Sequence, residues 1–144
     1  MNKLPKGSVP FHIDLHGKFN REEDRFIDLG TESMKWEFKE EYQPLERAIS
    51  KSISSQMDEL FKELNCDGFP VRVDTDPYYH GYWGNGVYTL TNQAAVMQIP
   101  TVQFEIPRSI RKMLSYSNDL LYDFATALYR TYKDVIIPFW TAIM

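Results

Sequence analysis

The sequence predicts an α/β fold, a mixed sheet flanked by helices, and two observations carry that prediction. Apolar residues recur at helical spacing from Pro44 to Leu64, and a strand-like alternation follows almost at once from Phe69 to Asp74. A second alternating run, Thr101 to Ile106, is followed by a further helical pattern, which repeats the rhythm in reverse order. At 144 residues the chain fits one domain, 1–144, with enough apolar material (43%, of which aromatics supply 15% of the chain) for an ordinary core.

The first strand is expected over Val9 to Leu15, with its tip at His16 and Gly17 opening into a loop. A second short strand is expected over Arg25 to Leu29 and is stopped by Gly30. The charged and aromatic stretch from Thr31 to Tyr42 has no clear period and reads as a lid or a solvated connection. Leu45, Ile49, Ile53, Met57, Leu60, Phe61 and Leu64 then fall three or four apart, and Pro44 suits a first helical turn. Asn65 to Gly68 supplies residues that tolerate the left-handed conformation ending that helix.

Asp76 to Gly86 concentrates Pro, Gly and large aromatics, as a shaped ligand-contacting loop does. Val87 to Leu90 reads as a short strand. In Thr101 to Ile106, Val102, Phe104 and Ile106 face one way and Gln103 and Glu105 the other, and Pro107 ends the strand. Ser117 or Asn118 caps a last helix whose apolar positions run to Lys133.

A net charge of −4 and a pI near 5.4 lack the dense basic patch that nucleic acid or anionic lipid requires. Cys66 is the single cysteine, so no intrachain disulfide forms, and the first residues carry no apolar run of signal-peptide or membrane-spanning length. A soluble, cytoplasmic protein is expected.

Three side chains on one strand draw the eye first. His12, Asp14 and His16 are two apart and share a face, but His12 and His16 are separated by about 13 Å at the usual strand rise of ~3.3 Å, too far to share one metal. His16, beside permissive Gly17, is the candidate metal ligand, with Asp14 behind it as orienter; His12 reads as structural. A strand-end His that merely satisfies hydrogen bonds is the alternative for His16. No H-E-x-x-H or paired-Cys pattern supplies further ligands.

Glu105 is a carboxylate in an otherwise apolar strand. On an edge strand it would simply face solvent; on a central strand it needs a partner or a task, such as deprotonating a metal-bound water. Arg108 and Arg111 follow it, with guanidinium geometry suited to a substrate carboxylate, although for Arg111 a surface ion pair is the blander reading. His80, in the aromatic loop, is a candidate to bind substrate or polarise a carbonyl; such loops also hold aromatics for packing alone.

Taken in order, His12 to Gly17 (HIDLHG), Ile27 to Thr31 (IDLGT), a helix, Asp76 to Gly84 (DPYYHGYWG) and Val102 to Arg108 (VQFEIPR) resemble the N-formylglutamate amidohydrolase family, which is itself similar to zinc carboxypeptidases. Each motif is short; the order of four carries the resemblance, which covers nearly the whole chain from Val9. It implies a zinc-dependent hydrolase of an amide next to a carboxylate, with His16 as a zinc ligand, Glu105 as catalytic base and Arg108 holding a substrate carboxylate or bracing Glu105. Gly17 stands where the family commonly has Ser, and Asp74 to Asp76 where an Asn opens the aromatic loop. The resemblance is to the C-terminal half of the family's domain, since the family's first two metal ligands precede the Asp-Leu-His strand. It therefore implies that a second chain or a homo-oligomer completes the site, or that the fold persists without zinc catalysis as a partner-binding protein. A metal-free sugar- or peptide-binding module using Tyr78 to Trp83 is a third reading.

Overall fold

The computed structural model describes residues 7–18, 27–62, 71–73 and 89–143. Four strands, β1 (His12–Lys18), β2 (Ile27–Gly30), β3 (Val71–Val73) and β4 (Thr101–Pro107), form one mixed sheet in the order β1-β4-β2-β3. β1 runs parallel to β4, β2 runs antiparallel to β4, and β3 runs parallel to β2. The helices are α1 (Glu32–Glu37), α2 (Gln43–Lys62), α3 (Leu90–Val96), α4 (Arg108–Tyr116), α5 (Asn118–Thr131) and α6 (Ile137–Ile143). The expected α/β class, with a mixed sheet flanked by helices, is thus observed.

The two long helices form for the reason their periodicity implies. Leu45, Ile49, Ile53, Met57 and Phe61 lie one turn apart along α2 and are fully buried. They share a core with Leu120, Phe124 and Ala127 of α5 and with Val102, Phe104 and Ile106 of β4. The Phe104 and Phe124 rings meet edge to face at 6.0 Å. Alternation in β4 therefore divides the sheet into an apolar face against α2 and α5 and an opposite face carrying Thr101, Gln103 and Glu105.

Several boundaries differ from the sequence reading. Thr31 to Tyr42 is not a solvated connection: it holds α1 and a 3₁₀ turn at Glu40–Tyr42. The Gln43 amide donates to the carbonyls of Met34, Lys35 and Phe38, the last at 2.8 Å, closing the C-terminus of α1 from the start of α2. Leu90 is not in a strand but opens α3, because the Thr89 hydroxyl accepts from Asn92 N–H at 3.0 Å; Val87 and Tyr88 lie outside the described residues. Ser117 rather than Asn118 caps α5, accepting from Leu120 N–H at 3.2 Å. Beyond Thr131 the helical path continues through a π-turn, Tyr132–Ile136, into α6. Pro138 has no N–H for the ordinary helical bond, and Ile137 N–H reaches back to Tyr132 O. No described helix is long and apolar enough to cross a membrane.

Candidate functional site

The polar face of the sheet is built by register. β1 and β4 pair so that Asp14 lies beside Gln103 and His16 beside Glu105; on the other side of β4, Asp28 of β2 is level with Glu105. Residues at one register position share a face, so the row His16, Glu105, Asp28 crosses the middle of the sheet. β4 is central, which settles the alternatives for Glu105: its carboxyl is buried, with 6% of the residue exposed, and it has partners.

Those partners form a chain. Asp14 Oδ1 lies 2.8 Å from His16 Nε2, His16 Nδ1 lies 3.2 Å from Glu105 Oε1, and Gln103 Nε2 donates to the same Glu105 oxygen at 3.0 Å. The His16 side chain is 48% exposed, so the chain runs from solvent at the imidazole to a buried carboxyl. Beside it, Lys18 and Asp28 make a buried ion pair between β1 and β2. His12 has a structural part, as expected: its Nδ1 is 2.8 Å from the Thr101 hydroxyl.

Burial raises the Glu105 pKa above the ordinary carboxylate value; His16 and the Gln103 hydrogen bond pull the other way, Asp14 adds to the rise, and Lys18 opposes it. This has a consequence for the proton in the chain. A neutral imidazole carries one N–H and one lone pair, so it can donate to Asp14 through Nε2 and accept at Nδ1 from a protonated Glu105. The geometry thus accommodates one proton shared between Glu105 and His16.

A folded-state pKa above the unfolded one means that the native protein binds the proton more tightly. Stability contributed by protonated Glu105 is complete below the unfolded value of about 4.5 and is lost as pH rises through the higher folded value. Glu105→Gln, which mimics the neutral acid, should flatten this fall in urea-unfolding free energy measured from pH 4 upward. An unchanged slope in the variant would show that Glu105 is not its source.

The sequence candidates fare differently. His16, Asp14 and Glu105 are brought together. His16 does not sit at a strand tip, because β1 continues two residues to Lys18, whose buried ion pair with Asp28 holds the chain in the sheet. Arg108 is exposed at the first position of α4 and makes no ion pair or side-chain hydrogen bond among the described residues. Arg111 is not in a surface ion pair: Nη2 donates to Lys18 O at 3.2 Å, and its guanidinium covers Gly17, where a Cβ would lie 2.6 Å from Cζ. A serine at position 17 would displace it. His80 and the aromatic loop from Asp76 lie outside the described residues.

The zinc expectation meets a specific obstacle. Ligation needs a ring nitrogen of His16, and both nitrogens face carboxylate oxygens. Among the described residues no group of three or more His, Cys, Asp or Glu side chains is arranged to hold a metal ion. As described, these residues do not fit a zinc centre. Lys18, Asp28 and Gln103 were not singled out from the sequence as site residues, although the alternation in IDLG and VQFEIP already sets Asp28 and Gln103 opposite their apolar neighbours. Comparison with protein-family models, with curated proteins and with solved structures yields no match.

Proposed function

We propose that the chain is a hydrolase of an amide bond next to a carboxylate, acting on an N-acyl amino acid, a γ-glutamyl chain or a peptide, with Glu105 as the general base. The observation that carries this reading is the chain Asp14, His16, Glu105, in which a buried carboxyl of raised pKa is connected to solvent by an imidazole. Glu105 takes a proton from the attacking water and passes it to the leaving amine, while His16, held by Asp14, steadies the Glu105 carboxyl. Gln103 holds the Glu105 carboxyl in place. Arg108, exposed at the end of β4, is the guanidinium proposed to bind the substrate carboxylate. The relation to the N-formylglutamate amidohydrolases and to a zinc carboxypeptidase-like fold rests on the order of the four sequence motifs. The chain Asp14, His16, Glu105 supports the proton-transfer part of that reading.

The test is hydrolysis of a panel of N-formyl and N-acyl derivatives of glutamate and aspartate, with and without added zinc. Glu105→Gln is expected to lower kcat/KM by about 10²–10⁴-fold. Full activity in the variant would remove Glu105 from the mechanism.

A second reading, a non-catalytic protein that binds a partner through its sheet, is favoured by a separate observation: among the described residues β1 is an edge strand, exposed at Leu15 to Gly17. A wild-type chain inert on the whole panel in both conditions would favour it.

A further inference from the structure

β1 has β4 on one side and, among the described residues, no strand on the other. The backbone decides which residues can use that outer side. His12 N–H donates to Pro100 O, so His12, Asp14, His16 and Lys18 direct their peptide groups toward β4, and Ile13, Leu15 and Gly17 direct theirs outward. Among the described residues the strand is open at Leu15, which is 55% exposed; Gly17 beside it is exposed too, with the Arg111 guanidinium against the face where its Cβ would lie. Two usual protections of an edge are absent from this stretch: it has no proline, and its lysine, Lys18, is buried against Asp28.

The sequence of β1, HIDLHGK, is complementary to itself about Leu15. If a second β1 is laid antiparallel with Leu15 against Leu15, then Ile13 faces Gly17, Asp14 faces His16 and His12 faces Lys18. Leu15 with Leu15 and Ile13 with Gly17 are then the hydrogen-bonded pairs, using the outward peptide groups. Asp14 and His16 fall at non-hydrogen-bonded positions, where opposed side chains approach most closely, with Cα atoms ~4.5 Å apart. Shifting the centre by one residue sets Asp14 against Asp14 or His16 against His16 and loses both Asp14–His16 pairs, so the pairing of carboxylate with imidazole selects the register.

Among the described residues the apolar face of the same edge is also unfilled. Phe11 and Ile13 form a groove of about 450 Å³ with Ala125, Leu128 and Tyr129 of α5. A two-fold axis normal to the sheet keeps this face on the same side in both copies, so the grooves and both Leu15 side chains meet across the axis.

We propose that the β1 edge binds a second copy of this chain, antiparallel and centred on Leu15, giving one continuous sheet. Asp14 of the second copy then lies opposite His16, whose ring nitrogens face Asp14 and Glu105 of its own chain, so the acid–base chains of the two copies adjoin. The pairing is independent of the hydrolase reading: it rests on backbone direction, charge and exposure, and its test reads mass rather than turnover.

Sedimentation equilibrium of the full chain should give twice the 17.0 kDa chain mass. Asp14→Lys and His16→Asp should each give the single-chain mass, because the first replaces the carboxylate that faces the His16 imidazole with an ammonium and the second sets aspartate against Asp14. An equimolar mixture of the two should return to twice that mass, since the introduced lysine of one faces the introduced aspartate of the other. Leu15→Lys, at an exposed position, should also be monomeric with an unchanged circular dichroism spectrum. A wild-type monomer at every soluble concentration overturns the proposal, as do single variants that stay dimeric. Folded single variants whose mixture stays monomeric overturn the register.

Discussion

Phe104→Ala is expected to lower the unfolding free energy by about 3–5 kcal/mol, a large part of the ~5–15 kcal/mol that holds a domain together. Phe104 is fully buried in the central strand and meets Phe124 of α5, so its removal opens a cavity between the sheet and the helical layer. The surroundings have little room to collapse, because Val102, Ile53 and Ile49 are themselves fully buried in the same core. Urea titration followed by circular dichroism measures the change. A loss below about 1 kcal/mol would mean that the sheet and α5 do not meet as described.

Lys18→Met is the second large effect. The Lys18 ammonium and the Asp28 carboxylate face each other with both side chains almost wholly buried, and both groups make further contacts. Removing the cation leaves Asp28 in a low-dielectric setting without its nearest counter-charge, at a cost of about 3–5 kcal/mol. Adding Asp28→Leu should recover most of that loss, since a buried pair replaced on both sides by apolar groups is commonly close to neutral. The double-mutant cycle is read by the same titrations. A double variant no more stable than Lys18→Met would show that the other contacts of Asp28 outweigh the pair. Lys18 sits two residues from His16 in β1 and Asp28 is level with Glu105, so the pair also sets the end of β1 against the centre of the sheet.

Periodicity made the long elements legible. α2, α5 and β4 each carry a strong repeat of one period, and their observed limits lie within a few residues of the expected ones. α1 and α3 were not legible, because neither has an apolar repeat of its own. α1 is closed by Gln43 from the next helix, and α3 is started by a single hydroxyl at Thr89. α4 was missed beside them: Arg108 to Tyr116 has only Ile110 and Leu114 buried, a stripe too narrow to stand out in nine residues.

The candidate site divides along the same line. From sequence alone, Asp14 and His16 share a face and Glu105 opposes the apolar side of its strand, because side chains alternate along any strand. What alternation cannot supply is which strands are neighbours. The parallel pairing of β1 with β4, in the register that sets His16 beside Glu105, and the central place of β4, come from the packing of the apolar face against α2 and α5. That same arrangement buries Glu105 and raises its pKa, and among the described residues it places β1 at the edge with Leu15 exposed. Residue types and spacings thus determined the long elements and the faces, which depend on local geometry. Tertiary structure decided the partners, the burial and the open edge, which depend on contacts between segments far apart in the chain.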